Sequence, residues 1–537
     1  MIIFNGKIRT MDPQKPEVEA IAVRNGRIVA AGSYDAARAR LSGPAEEIDL
    51  GGRTAIPGFN DDHIHLIGMA DYFSRPNLAG LNERQIIERM REIYKDAKPG
   101  DLLVGNGWDY PSCTNPHRSI LDEAFPDNPV VLYQYSGHGS WVSSRLLAAA
   151  GITRSTKDPV GGRIGRDSAG EPNGILLDAA ARPIRVIRSR IQDKEPGRRE
   201  RLFDRAQELL RENGLTSVQD NTWLPENGRI YLKAAKAGKL TVRISCWSDG
   251  RTRLKRRRLE HLPFDGSFLS LGPVKYFLDG TFSTKTAWML EPYPDDPQNS
   301  GIAMGTGRWA FEIVRREAAR RRQAAFHSIG DRSTRELVDA VEEASKWYRW
   351  VPELRMRIEH GQIIAMEDMR RIRDLGMVVS AQPHALGNPE KDARILGPER
   401  ALRVYPYRSL IDAGVPLAFG SDVPGESTFV PLLAIHHTVN RESPERITVE
   451  EAVRAYTVGS AYAQGMEDRK GMLSVGMMAD IAVLSDDPMG VRPEGIKDIR
   501  VEMTIVDGRV VFDRTKGDGR RAGIGAGAQY ARRGESR

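Results

Sequence analysis

The chain has 537 residues, 40% of them hydrophobic and 28% charged, which is an ordinary globular composition and excludes a fibrous or wholly disordered protein. That length accommodates one large α/β barrel together with a smaller domain. The formal charge of +7 is concentrated at the end: residues 514–537 carry seven basic and two acidic side chains (7 − 2 = +5), so the remaining body is only +2 and gives no general signal for nucleic-acid binding.

Residues 1–56 read as β-structure. Ala20 to Val23 and Ile28 to Ala31 flank Asn25-Gly26, a two-residue turn of the kind whose central residues take positive φ. The far end answers it with a short strand at Asp480 to Leu484 and a second hairpin, Thr504 to Val506 and Arg509 to Phe512, around Asp507-Gly508. These ends predict one small β-sandwich domain assembled from residues 1–56 and 466–513. The Gly- and Ala-rich basic tail from 514 to 537 is expected to be disordered.

The first strand of the middle region carries Pro57-Gly58-Phe59-Asn60-Asp61-Asp62-His63-Ile64-His65. Side chains two apart on a strand share a face, so His63 and His65 present two imidazoles toward one point, and the neutral imidazole is the commonest side-chain metal ligand. Residues 71–197 interrupt the pattern with a helix around Glu83 to Ala97, strands at Leu102 to Gly105 and Val130 to Tyr135, and Gly/Pro-rich connections around Asp158 to Gly174. This insertion follows a barrel strand and is therefore a candidate lid or substrate wall. Apolar strands then alternate with helices: Leu215 to Asp220, Thr241 to Trp247, Pro273 to Asp279, Gln323 to His327, Arg355 to His360, Met377 to Gln382 and Val415 to Asp422. Together with the first, these make eight β/α units and predict a (β/α)8 TIM-type barrel over 57–465. The helices Glu200 to Asn213 and Glu367 to Leu375 both stop at glycine, Gly214 and Gly376.

Barrel enzymes place their chemistry at the C-terminal strand ends. Those ends hold His63 and His65 on strand one, Lys275 within strand four, His327 on five, His360 on six and Asp422 on eight. Singly, each of the last three has an ordinary packing or capping role open to it; jointly they need a coincidence on several separate strands. Four imidazoles and a carboxylate suit zinc or a similar divalent ion and exceed the roughly three protein ligands of one catalytic zinc, which suggests two metals spaced about 3.5–4 Å apart.

With these stretches, and with Val274 to Gly280, His327 to Asp331, Arg357 to Gln362, Gly420 to Pro424, Met478 to Ile481 and the insertion motifs Gly137 to Trp141 and Gly161 to Ile164, the chain resembles the amidohydrolase superfamily. Within it the similarity is to the amidohydrolase-3 family of YtcJ-like and N-substituted formamide deformylase-like proteins, over residues 1 to about 513. The resemblance implies that His63 and His65 hold one zinc ion and His327 and His360 a second, with Lys275 bridging them as its carbamate. Asp422 ligates the first metal and serves as general acid/base while a metal-bridging hydroxide attacks an amide or N-formyl carbonyl. His138 is a candidate hydrogen-bond donor to substrate. Asn60 stands where the family usually has an apolar residue, and Asp62 where it often has Ser or Thr.

Alternatives are a cyclic amidase or heterocycle deaminase of the same superfamily, or a non-catalytic binding or regulatory member. Two cysteines, Cys113 and Cys246, form no disulfide framework; no run of 18 apolar residues and no signal-peptide pattern is visible. The expectation is a cytoplasmic enzyme, a homodimer if it assembles, acting on a small amide-type substrate without nucleic-acid or membrane partners.

Overall fold

The computed structural model describes residues 1–110, 112–134, 139–159, 162–192, 195–387 and 389–516. Five strands open the chain: β1 (Ile2–Arg9), β2 (Glu17–Arg24), β3 (Arg27–Gly32), β4 (Glu47–Asp49) and β5 (Thr54–Pro57). The first barrel strand, β6 (Phe59–Ile64), follows at once. Next come β7 (Leu103–Trp108), β8 (Val130–Gln134), β9 (Gly139–Val142), β10 (Gly162–Arg166) and β11 (Pro172–Asp178). The barrel resumes with β12 (Leu215–Asp220), β13 (Arg243–Asp249), β14 (Leu269–Phe277), β15 (Ala324–Ser328), β16 (Arg357–His360), β17 (Val378–Ala381) and β18 (Leu417–Phe419). Three strands close the chain: β19 (Ile481–Leu484), β20 (Val501–Val506) and β21 (Arg509–Asp513).

Strands β6 and β12–β18 pair in parallel, each with its neighbour in sequence, giving the (β/α)8 barrel. The helix Arg198–Glu212 ends at Gly214 (φ +74°) and the helix Met366–Asp374 at Gly376 (φ +63°), where a side chain would strain the left-handed turn.

The terminal strands form a separate sheet in the order β21-β20-β19-β5-β1-β2-β3, with β4 on β1. Both hairpin turns have two positive-φ residues, Asn25 with Gly26 and Asp507 with Gly508, as their sequences require. Ile3, Ile21, Ile28, Ile481, Val483 and Ile505 pack into its core, so the two ends of the chain share one apolar interior. The sheet is tied to the barrel floor by Arg243, whose Nε donates to Asp480 Oδ2 (2.7 Å) and whose second guanidinium nitrogen reaches Asp507 Oδ1 (3.0 Å).

Among the described residues, one compact unit contains Met1–Ile67 and residues 203–516, and the other is Gly68–Leu202. The second has its own sheet, ordered β10-β11-β9-β8-β7. Here the sequence reading needs correction, because the Gly/Pro-rich stretch around 158–174 is not merely a connection. It builds the antiparallel pair β10–β11, turned at Asp167, whose carboxylate accepts the N–H groups of Ala169 and Glu171. A second correction concerns strand eight, which spans only Leu417–Phe419. The tail is ordered at its start: Arg514–Lys516 form a 3-10 turn in which Arg514 Nε donates to Val501 O (2.8 Å), and residues 517–537 lie outside the described ones. Among the described residues no helix is long and apolar enough to cross a membrane.

Candidate metal centre

The barrel brings His63, His65, Lys275, His327, His360 and Asp422 to one place. Ligand atoms of His63, His360 and Asp422 all lie within 4.8 Å of one another. Ring centroids are 5.9 Å apart for His63–His65, 5.2 Å for His63–His360 and 4.4 Å for His327–His360. Nε2 of His63 and Nε2 of His65 approach the same Asp422 oxygen, at 3.3 and 3.1 Å.

Local backbone irregularity makes this convergence. His65 lies just past β6, and the β6–β12 register shifts between Asp61 and Ile64, so strand alternation alone does not aim the two imidazoles. Instead the loop after β18 closes onto β6: Asp422 N donates to His63 O (2.6 Å) and His65 N to Val423 O (3.1 Å). Gly420 permits the approach, since a Cβ there would sit 2.3 Å from His63 N. Asp61 accepts from the backbone N–H groups of both His63 (3.1 Å) and Ser421 (2.9 Å), fastening the two ends of the barrel wall together. Asp422 (φ +53°) and His360 (φ +78°) both adopt the left-handed region that non-glycine residues rarely occupy, a form of backbone strain common at functional sites.

Each interior imidazole has a partner for one ring nitrogen. His63 Nδ1 contacts Glu359 Oε2, His360 Nδ1 lies 2.7 Å from Gln382 Oε1, and His327 Nε2 lies 3.0 Å from the Gly280 carbonyl. Burial, and then repulsion from the Lys275 ammonium, lowers the pKa of His63 and takes His327 down to about 4; burial and the neighbouring His327 push His360 well below the usual range. Near neutral pH these rings are uncharged, the form that binds metal. Burial raises the Asp422 carboxyl, but the surrounding imidazoles outweigh it and hold the group below the ordinary carboxylate range.

Lys275 on β14 is 2% exposed, and its Nζ has no hydrogen-bond partner among the described residues. Burial lowers the ammonium to about 8 despite attraction from Glu359 and Asp422. A fully buried amine left unbonded beside the imidazoles of His63, His327 and His360 is an incomplete arrangement, because buried polar groups are ordinarily satisfied. The donor set therefore fits a divalent cation.

Sequence reading missed several groups. Glu359 and Gln382 hold ligand candidates, and Arg357 bonds Glu359; the signal available is that Arg357 and Glu359 stand two apart, on one face of the strand. Trp223, with φ +49°, packs edge-on to His65 at 4.8 Å. Asp279 accepts from Trp288 N, Ile329 N, Gly330 N and Ser333 Oγ, joining the loops after β14 and β15. His138 lies outside the described residues.

The family model described as "Amidohydrolase family" matches residues 46–512. The chain belongs to the amidohydrolase family. This amidohydrolase is 32% identical to Protein LONG AFTER FAR-RED 3 of Arabidopsis thaliana over 90% of the chain and 87% of that protein. It is 30% identical to YtcJ of Bacillus subtilis (96% and 99% covered) and 28% identical to the N-substituted formamide deformylase of Arthrobacter pascens (96% and 98%). A solved metal-dependent hydrolase from Pyrococcus furiosus superimposes with a TM-score of 0.76 at 29% identity, covering 91% of this chain and 99% of that one. The amidohydrolase is thus a metal-dependent hydrolase by family, and its candidate ligands are the side chains gathered at the barrel mouth.

Proposed function

We propose that this amidohydrolase cleaves the C–N bond of a small amide or N-formyl amide at a centre of two divalent ions, zinc being the first choice. His63, His65 and Asp422 would hold one ion, His327 and His360 the other, and Lys275 as its carbamate would join them. The observation that carries this reading is the cluster of His63, His360 and Asp422, with His65 and His327 against it and the buried, unbonded Lys275 amine close enough to act on His63, His327 and His360. The likeness to an N-substituted formamide deformylase supports the amide class. When bound, such ions supply Lewis acidity toward a carbonyl oxygen and lower the pKa of water. Asp422 faces the accessible side, with about a fifth of its side chain exposed (21%), and is placed to accept a proton from the attacking water and pass it to the departing amine. Lys275 has to lose its positive charge to share the site with cations, and carboxylation would turn it into an anion.

The test is metal content per chain, by mass spectrometry of protein prepared without chelator, alongside Lys275→Ala and His327→Ala and with amine release assayed on amides and formamides. About two metals in the wild type, falling to one or none in both variants together with amine release, is the expected result. A single metal in the wild type, unchanged in Lys275→Ala, would overturn the binuclear reading, and a fully loaded enzyme that releases no amine from either class would overturn the amide assignment.

A further inference from the structure

We infer that Glu359, locked in the barrel lumen by Arg357, Asp62 and Gln219, is the positioning residue that turns Nε2 of His63 toward the metal centre. The inference rests on the proposed reading of His63 as a ligand.

Glu359 is fully buried, and both of its oxygens are committed: Oε2 to His63 Nδ1, and Oε1 to Arg357 Nε (2.7 Å). A carboxylate paired with a guanidinium only accepts hydrogen bonds, so the His63 proton belongs on Nδ1 and the lone pair of Nε2 faces Asp422. Arg357 is immobilised in turn. Its two terminal nitrogens donate to Gln219 Oε1 (2.7 Å) and Asp62 Oδ2 (2.7 Å), while Gln219 Nε2 donates to Asp62 Oδ1 and to the Ser460 carbonyl (2.9 Å). The Trp247 ring covers the guanidinium at 4.5 Å and meets the His63 ring at 5.4 Å. Gly272 leaves room for that indole, since a Cβ there would lie 2.4 Å from Trp247 Cδ1. Glu359 is thereby fixed from four strands, β6, β12, β13 and β16.

The other two interior imidazoles lean on neutral acceptors, Gln382 and the Gly280 carbonyl. Asp279 Oδ1 stands 3.8 Å from His327 Nε2, beyond hydrogen-bond reach, whereas the His63 ring bonds its carboxylate directly, which both orients the ring and raises its basicity toward a metal.

Two measurements test the role. In chelator-competition titrations with zinc, Glu359→Gln should weaken one metal-binding step by about 10- to 100-fold and leave the other unchanged. In the metal-free wild type with 15N-labelled histidine, the resonance lost in His63→Asn should show its proton on Nδ1; this second readout needs only the wild-type fold. Unchanged zinc affinity in a folded Glu359→Gln protein, or a His63 proton on Nε2, overturns the positioning role while leaving the hydrolase proposal standing. A wild type that takes up no zinc overturns both.

Discussion

Ile481 in the terminal β-domain and Arg357 in the barrel lumen are both fully buried, yet their surroundings have nothing in common. Around Ile481 lie Ile3, Ile21, Ile28, Val483 and Ile505, an interior made stable by transfer of apolar surface from water. Around Arg357 lie Asp62, Gln219, Glu359 and Lys275, none more than 2% exposed. There each charge removed from water costs several kcal/mol unless partners replace its hydration, about which a hydrophobic interior need not be particular. Asp62 and Glu359 share one guanidinium; burial pushes Asp62 up to about 8, whereas the attraction of Arg357 and then His63 overcomes burial to hold Glu359 below the usual range. The contrast teaches that apolar burial accounts for the β-domain interior, while the lumen carries buried charges whose cost is met only by a fixed geometry.

The largest effect that would test this division is Ile505→Ala, a large-to-small change in the apolar interior. It should cost about 2–5 kcal/mol by urea denaturation and leave metal content per folded molecule unchanged; loss of metal from the folded variant would break the division. Lys470 sharpens the comparison from the other side. It is fully buried at the barrel floor, bonded to Ser217 Oγ, and burial lowers its pKa from 10.5 to about 7. Between those values the unfolded chain binds a proton that the folded chain lacks, so stability should rise with pH, by at most about 1.4 kcal/mol per pH unit from this group. Lys470→Met should flatten that slope between pH 7.5 and 9.5 relative to wild type, and an unaltered slope would exclude the lysine as its source. The smallest effect belongs to neither interior. Thr448 and Glu451 form a capping box at the start of the helix Val449–Arg454, and Thr448→Ala should lower the denaturation midpoint by an amount equivalent to about 1 kcal/mol, without a change in pH slope.

What the sequence discloses follows the same division. The two hairpins announce themselves because Asn-Gly and Asp-Gly fit the positive φ of the turn, and the barrel helices because Gly214 and Gly376 end them. The ligand candidates were legible as types at strand ends. Their gathering at one end of the barrel is legible too, but the backbone that aims them is not, since His360 and Asp422 leave the strand conformation for positive φ, where period-two reasoning no longer applies. The apolar run places Asp422 at the end of strand eight, but that strand is only three residues long and the aspartate belongs to the loop beyond it. Glu359 was missed for the related reason that alternation puts it on the opposite face from His360. The strands β9 to β11 are illegible because glycine and proline interrupt the apolar alternation that would mark them, although β10 and β11 pair as a local hairpin.

The sharing of one sheet between the two ends of the chain also bears on its synthesis. Pro57 on β5 pairs with Ile481 on β19, so β5 emerges from the ribosome with one of its two neighbouring strands still more than 400 residues away. At about 5–20 residues per second the wait is on the order of 20–85 s, during which the edge of β5 and the apolar faces around Ile3 and Ile21 have no native cover. The barrel can be complete before its first neighbour is. Removal of the last strands would therefore leave the beginning of the chain, and not only its end, exposed to aggregation and proteolysis.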